Sequence, residues 1–294
     1  MSFINSMITA ITGNCTDISR LHKYNKQCKQ PSFTSIGGVV TKKSGELAYR
    51  IDTSFFRNDL YWDNFVRYLS DKYQNAKKVR VINHACSSGY EPYSLALTFM
   101  YELGEKAKKF FPIKARDINK TNIERAKAGE FRIDSFEWGG IDFYTNNTFE
   151  KYFDVYKSDL YSYKAVAKDE IKKTVKFKCK DIFKDMRKIS KENTVLLCRN
   201  FWPYLSIDEA IKLIDQLATK MKKSSVLVIG DYDSVYSVDK LLGMYGFKKT
   251  EINNVYEAPG KNILSGTSKS KIIDKVFAVN DSEKDYSKSL SLLV

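Results

Sequence analysis

Histidine occurs twice in 294 residues, at His22 and His84, and the five cysteines (Cys15, Cys28, Cys86, Cys179, Cys198) are widely and irregularly spaced without a Cys-x-x-Cys pair. That scarcity argues against a zinc site and against a disulfide framework, so no metal is expected. Cys86, Cys179 and Cys198 fall in or beside expected strands and read as small buried apolar residues. A reducing cytoplasm is the expected compartment. No apolar run approaches the ~18 residues of a membrane span. Residues 1–11 lack a charged region ahead of their apolar side chains, so a signal peptide is not expected either. The three spaced glycines of a dinucleotide-binding turn are also missing.

What is present describes a globular α/β chain. Hydrophobic residues make up 43% and aromatic residues 14%, enough for a substantial core. The length suits one large domain with an appendage. A formal net charge of +14 favours acidic partners, whether nucleic acid, anionic membrane or acidic protein, without choosing among them.

The chain is organised around Val79 to Ser94. Its first half is short, apolar and β-branched, as a buried strand should be. Gly89 then makes a turn, and Pro92 suits the first turn of a helix through Leu95, Leu97, Phe99, Met100 and Leu103. A strand that opens through a glycine turn into a helix is where α/β folds bind nucleotides. Here Gly89 stands alone, and Glu91 occupies the place of a phosphate. A carboxylate there repels an anion and welcomes a cation. S-adenosylmethionine, with an ammonium, a sulfonium and no phosphate, fits this turn better than NAD or ATP.

A second anchor lies 28 residues after Gly89. Residues 111–115 read as the second strand, and Asp117 at its end can accept both hydrogen bonds of a ribose diol. Capping the helix that begins near Asn119 is the alternative. Further strands are expected at 175–179, 194–198 and 226–229, with 247–252 and 271–279 paired as an antiparallel edge. Helices are expected at 119–128, stopped by Gly129, near 149–156, from Ser206, and at 235–245. Phe131, Phe136, Trp138, Phe143 and Tyr144 read as packing of a long excursion over the core.

Four segments, Thr53 to Arg57, Ala85 to Ser94, Asp117 to Asn119 and Cys198 to Tyr204, stand in an order and spacing that resemble the CheR-type chemotaxis receptor methyltransferases. That family esterifies glutamate side chains with S-adenosylmethionine, and the likeness covers residues 50–258. It implies a seven-stranded, Rossmann-like class I methyltransferase sheet, mostly parallel with an antiparallel edge. It places the methyltransferase domain at 51–280, with a small inserted subdomain at 161–172. A divergent basic segment precedes it at 1–50, and a polar tail follows at 281–294. In the family the first region is a compact basic helical domain, which is not recognisable in this chain.

The resemblance also implies roles. Arg57 reaches into the methyl-transfer site and Tyr204 lies at the reacting carboxylate. Cofactor contacts fall to Thr53, to Ala85, Ser87, Gly89 and Glu91, to Asp117 and Ile118, and to Asn200 and Phe201. Asp181 and Ile182 stand where the family contacts adenine; for Asp181 a plain loop acid is the alternative. Two departures are visible. Ile51 replaces the family's asparagine, and Phe201, Trp202 and Pro203 replace more aliphatic residues.

The chemistry would need little. A glutamate carboxylate is ionised near neutral pH, so no general base is required. Positioning and exclusion of water remain, and arginine's planar fork matches the acceptor. The expected substrate is an acidic, chemoreceptor-like protein. Two alternatives stand beside it: the same fold acting on a small molecule or nucleic acid, and a non-catalytic module that binds the cofactor.

Overall fold

A computed structural model describes residues 36–41, 47–51, 53–57, 59–187, 189, 193–234 and 238–264. Twelve strands occur among them. Ile36–Thr41 (β1) and Leu47–Ile51 (β2) form an antiparallel hairpin. The main sheet uses Arg80–His84 (β3), Ile113–Asp117 (β4), Val175–Cys179 (β8), Thr194–Cys198 (β9), Val226–Val228 (β10), Lys248–Lys249 (β11) and Val255–Glu257 (β12). Its order is β11-β12-β10-β9-β3-β4-β8. The five strands from β10 to β8 run parallel, and β12 runs antiparallel to both β10 and β11. This is the seven-stranded, mostly parallel sheet with an antiparallel edge that the resemblance implies.

Local chemistry explains the main elements. Every residue of β9 is buried, as a central strand covered on both faces requires. Asn119 caps the helix Lys120–Ala128 by accepting from the Thr121 and Asn122 N–H groups, and Gly129 ends it in a left-handed conformation. Ser206 and Glu209 form a capping box ahead of Ile207–Lys220. Gly89, at φ 99°, starts the helix Tyr90–Leu103; a Cβ there would meet the Ala126 Cβ at 3.0 Å. The turn therefore requires glycine.

The structure shifts several expectations. The second strand begins at Ile113 rather than Phe111, because Pro112 has no N–H for the ladder. The edge partner of Lys248–Lys249 is Val255–Glu257, brought back by a turn in which Asn254 has φ 62° and the Thr250 N–H donates to Val255 O. Residues 271–279 lie outside the described residues, as do 1–35 and the tail 281–294. The late helix is described over Val238–Met244. Cys86 and Cys198 are buried as expected, but Cys179 is exposed, since β8 is the edge strand of the sheet among the described residues.

The region after Gly129 is a second sheet. Glu130–Asp134 (β5), Phe153–Lys157 (β6) and Ser162–Ala167 (β7) pair antiparallel in the order β5-β7-β6. The expected helix near 149–156 is only Phe149–Tyr152, after which the chain turns into β6. Phe55 joins this sheet to the main domain: its ring meets Phe131, Phe149 and Phe153 edge-on at 5.1, 5.3 and 5.7 Å. Phe131, Trp138 and Tyr144 pack as expected, whereas Phe143 is exposed. Among the described residues no helix is long and apolar enough to cross a membrane.

Candidate active site

Parallel register aligns the carboxyl ends of the central strands: His84 sits opposite Arg116 on one side and Cys198 on the other. β3 is the strand where the order reverses, and the crevice beyond such a point binds ligands in open α/β sheets. The residues leaving these strands are conformationally unusual. Ala85, Ser87 and Asn200 have φ of 56°, 48° and 57°. Side chains rarely tolerate that region, and such strain concentrates at functional sites.

Asp117 ties two of the exits together. Its Oδ2 accepts from the Ser87 N–H and its Oδ1 from the Asn119 N–H, both at 2.8 Å. Helix capping itself falls to Asn119. Burial pushes the Asp117 carboxyl up to about 6, against the lowering effect of those N–H groups.

Glu91 accepts from Asn83 Nδ2 and, at 2.7 Å, from Arg199 Nη1. The fully buried Arg199 side chain also pairs with Asp59 and lies over the Trp62 ring, 5.1 Å from its centroid. Burial raises the Glu91 carboxyl, and Arg199 beside it works in the opposite direction. Burial also acts upward on Asp59, but Arg199 and then Arg57 hold that carboxyl below its ordinary value. The site therefore contains two nearly buried carboxylates clamped by one arginine.

Asn200 extends this network. Its N–H donates to Asp233 Oδ2 at 2.7 Å, and its Nδ2 donates to Asp59 Oδ2 at 3.2 Å. Asp233 also accepts from the Gly230 N–H at 2.7 Å, and burial pushes its carboxyl up to about 8. A Cβ on Gly230 would lie 2.1 Å from Asn200 Oδ1, so the strand exit after β10 must be bare for Asn200 to fit.

Arg57 approaches from a loop pinned at two points. The Phe55 N–H donates to Glu137 Oε1 at 3.1 Å, and the Phe56 N–H donates to Ser94 Oγ at 3.0 Å. Both phenylalanines are buried, and Thr53 and Arg57 are half-buried. Arg57 acts downward on the carboxyls of both Asp59, which is lowered, and Glu91, which burial still keeps raised, and it forms no ion pair among the described residues.

The remaining expected residues surround the cleft. His84, Ala85, Ile118, Lys180, Ile182 and Phe201 line a cavity of about 10 Å³, room for about one water. Admitting an adenine there requires side-chain movement. Asp181 faces the adjoining trough of about 560 Å³, where its Oδ1 caps the following helix by accepting from the Lys184 N–H at 2.8 Å. Phe201, Trp202 and Tyr204 are buried, so these aromatic residues form a packed wall rather than an exposed rim. Sequence reasoning assigned no role to Asp59, Arg199 or Asp233. The available signal was a charge at the end of an apolar run: Arg199 directly after Thr194 to Cys198, and Asp233 four residues after the run Val226 to Ile229.

The residues fit a cofactor that carries a cation and a polar nucleoside. Ser87 Oγ and Asn200 Oδ1 are buried without hydrogen-bond partners among the described residues, and both leave adjacent central strands. Buried polar atoms of this kind call for a partner. No group of His, Cys, Asp and Glu able to hold a metal occurs among the described residues.

A family model described as "CheR methyltransferase, SAM binding domain" matches residues 52–250. A chemotaxis protein methyltransferase of Listeria innocua is 26% identical over 185 residues, 62% of this chain and 65% of that protein. One from Borreliella burgdorferi is 26% identical over 234 residues, 74% and 79% of the two chains. The chain thus spans a little under two thirds of the Listeria relative's length. A TehB-like methyltransferase from Corynebacterium glutamicum aligns at a TM-score of 0.37 and 9% identity, over 70% of this chain and 90% of that one; the fold rests on strand order and not on that likeness.

Proposed function

The chain belongs to the CheR methyltransferase family, and on that premise we propose that it transfers a methyl group from S-adenosylmethionine to a glutamate side chain of an acidic, chemoreceptor-like protein in a reducing cytoplasm. The observation that carries this reading is the placement of Arg57. A guanidinium with no ion pair among the described residues stands beside the two carboxylates that Arg199 clamps.

S-adenosylmethionine, when bound, supplies a methyl group on an already electrophilic sulfonium. Glu91 would face its ammonium, Asp117 its ribose diol, and Ser87 and Asn200 its remaining polar atoms. Arg57 pairs with the acceptor carboxylate and fixes its direction of attack, and Tyr204 orients it from the β9 exit. The acceptor is ionised at neutral pH, so no side chain has to remove a proton. Phe201 and Trp202 keep the wall dry, which strengthens every charge interaction in the cleft. The products are a methyl ester and S-adenosylhomocysteine. Catalysis is positioning, which can supply several kcal/mol of barrier lowering.

Calorimetric titration with S-adenosylhomocysteine tests the cofactor half of this reading. Micromolar binding is expected near pH 7.5, weakening as pH falls below about 6, where Asp117 takes a proton and loses acceptor capacity. The same group acts oppositely on the free protein. With its folded value raised above the unfolded one, Asp117 binds a proton more readily when folded. Its contribution to stability therefore grows on acidification from about 6 and is lost as pH rises again. Absence of binding at pH 7.5 would overturn the cofactor assignment.

A further inference from the structure

The exposed lysines of β8 have no role in that reaction. Phe177 turns toward the helix Tyr90–Leu103, its ring 5.7 Å from that of Tyr93. By strand alternation Lys176 and Lys178 point to the opposite face. In the parallel register Lys176 lies directly opposite Lys114, and Lys178 directly opposite Arg116. Just beyond the strand, Lys180, Lys184 and Arg187 line the trough of about 560 Å³. Lys176, Lys178, Lys180, Lys184 and Arg187 are exposed and Lys114 is partly so, whereas Arg116 is buried and Asp181 also lines the trough.

Some of that charge is accounted for locally. Asp185 lies 3.7 Å from Arg116 and 3.8 Å from Lys180, and Arg116 also donates to the Ala115 and Lys176 carbonyls. Lys176, Lys178, Lys184 and Arg187 form no ion pair among the described residues. Like charges placed directly opposite each other on a sheet destabilise it. Lysines on an edge strand do protect against edge-to-edge pairing. That accounts for Lys176 and Lys178, but not for Lys184 and Arg187, which lie beyond the strand.

We infer that this face docks an acidic segment of the methyl-accepting protein, at a distance from the glutamate that is methylated. The inference rests on the reading of the site as a protein-carboxylate methyltransferase. Lysines two apart on a strand are about 7 Å apart, close to the ~5–6 Å between carboxylates three or four apart on a helix. The trough shares Ile118 and Lys180 with the candidate cofactor cavity, so a segment held there brings its protein against the cleft. A nucleic acid is disfavoured because the large exposed aromatic residues, Tyr61, Tyr101, Phe143, Tyr156 and Tyr161, all lie off these strands and their connecting helix. Stacking platforms are what unpaired bases need.

Fluorescence anisotropy of a short labelled poly-L-glutamate, at low salt, tests this. The probe compares wild type with the triple variant Lys176→Gln, Lys178→Gln, Lys184→Gln. A control, Lys106→Gln, Lys127→Gln, Lys222→Gln, removes the same charge elsewhere on the surface. About tenfold weaker binding is expected for the first variant and less than about twofold for the control. Equal weakening of both would show a response to net charge only and overturn the proposal. So would duplex DNA that displaces the probe more effectively than unlabelled poly-L-glutamate of equal charge. Titration of each variant with S-adenosylhomocysteine separates the two readings. Loss of cofactor binding by wild type would remove the enzyme, while the anisotropy comparison would still report on the surface.

Discussion

Arg199→Met should lower the stability of the protein by about 3–5 kcal/mol, the cost of leaving buried charges without their partner. Arg199 is the sole cation in direct contact with both Glu91 and Asp59 among the described residues. Methionine fills a similar space but leaves two nearly buried carboxylates facing each other. Against a typical total of about 5–15 kcal/mol, such a loss moves a urea midpoint far and leaves the slope of the transition unchanged. Adding Glu91→Gln and Asp59→Asn to the same chain should recover most of it, because the uncompensated charges are then gone. A loss below about 1 kcal/mol would place the pair with exposed ion pairs, whose contribution is small. Arg199→Lys keeps the charge but not the fork, and should fall between wild type and Arg199→Met.

The second large effect is on turnover. Arg57→Ala is expected to slow methyl transfer by about 10²–10³-fold, the equivalent of roughly 3–4 kcal/mol of transition-state stabilisation, while cofactor affinity stays within about threefold. The split matters because Arg57 is assigned to the acceptor and not to the cofactor. Steady-state transfer of labelled methyl groups, together with titration by S-adenosylhomocysteine, measures both quantities. Parallel loss of binding and turnover would make Arg57 a cofactor contact instead.

Much of this was legible in the sequence because the signals are local. The run Thr194 to Cys198 specifies a central strand by itself, Gly89 and Gly129 mark turns through the backbone conformation they allow, and Asn119 marks a cap through its side-chain oxygen. The site's spine was less legible because its partners are remote. Arg199 meets Asp59 across 140 positions, and no periodicity reports such a pair. The antiparallel edge was expected, but its strand Val255–Glu257 was not legible for a different reason: it is three residues long, too short to show alternation. The inserted sheet was expected only at 161–172. β5 does alternate, with Phe131 and Ile133 buried and Arg132 and Asp134 exposed, but its neighbour β7 and the strand beyond, β6, carry polar and lysine residues that mask the same pattern. Asp181 reads equally well as an adenine contact and as a loop acid from sequence. Its capping bond to the Lys184 N–H is visible only once the helix is in place.

The most direct test of the account is the chemical nature of the product. The protein is incubated with methyl-labelled S-adenosylmethionine and chemoreceptor-bearing bacterial membranes, and the labelled protein is then treated with base. A glutamate methyl ester hydrolyses, so the account predicts that the label leaves as volatile methanol. Label that stays on the protein through base treatment, or no transfer at all, would contradict carboxylate methylation.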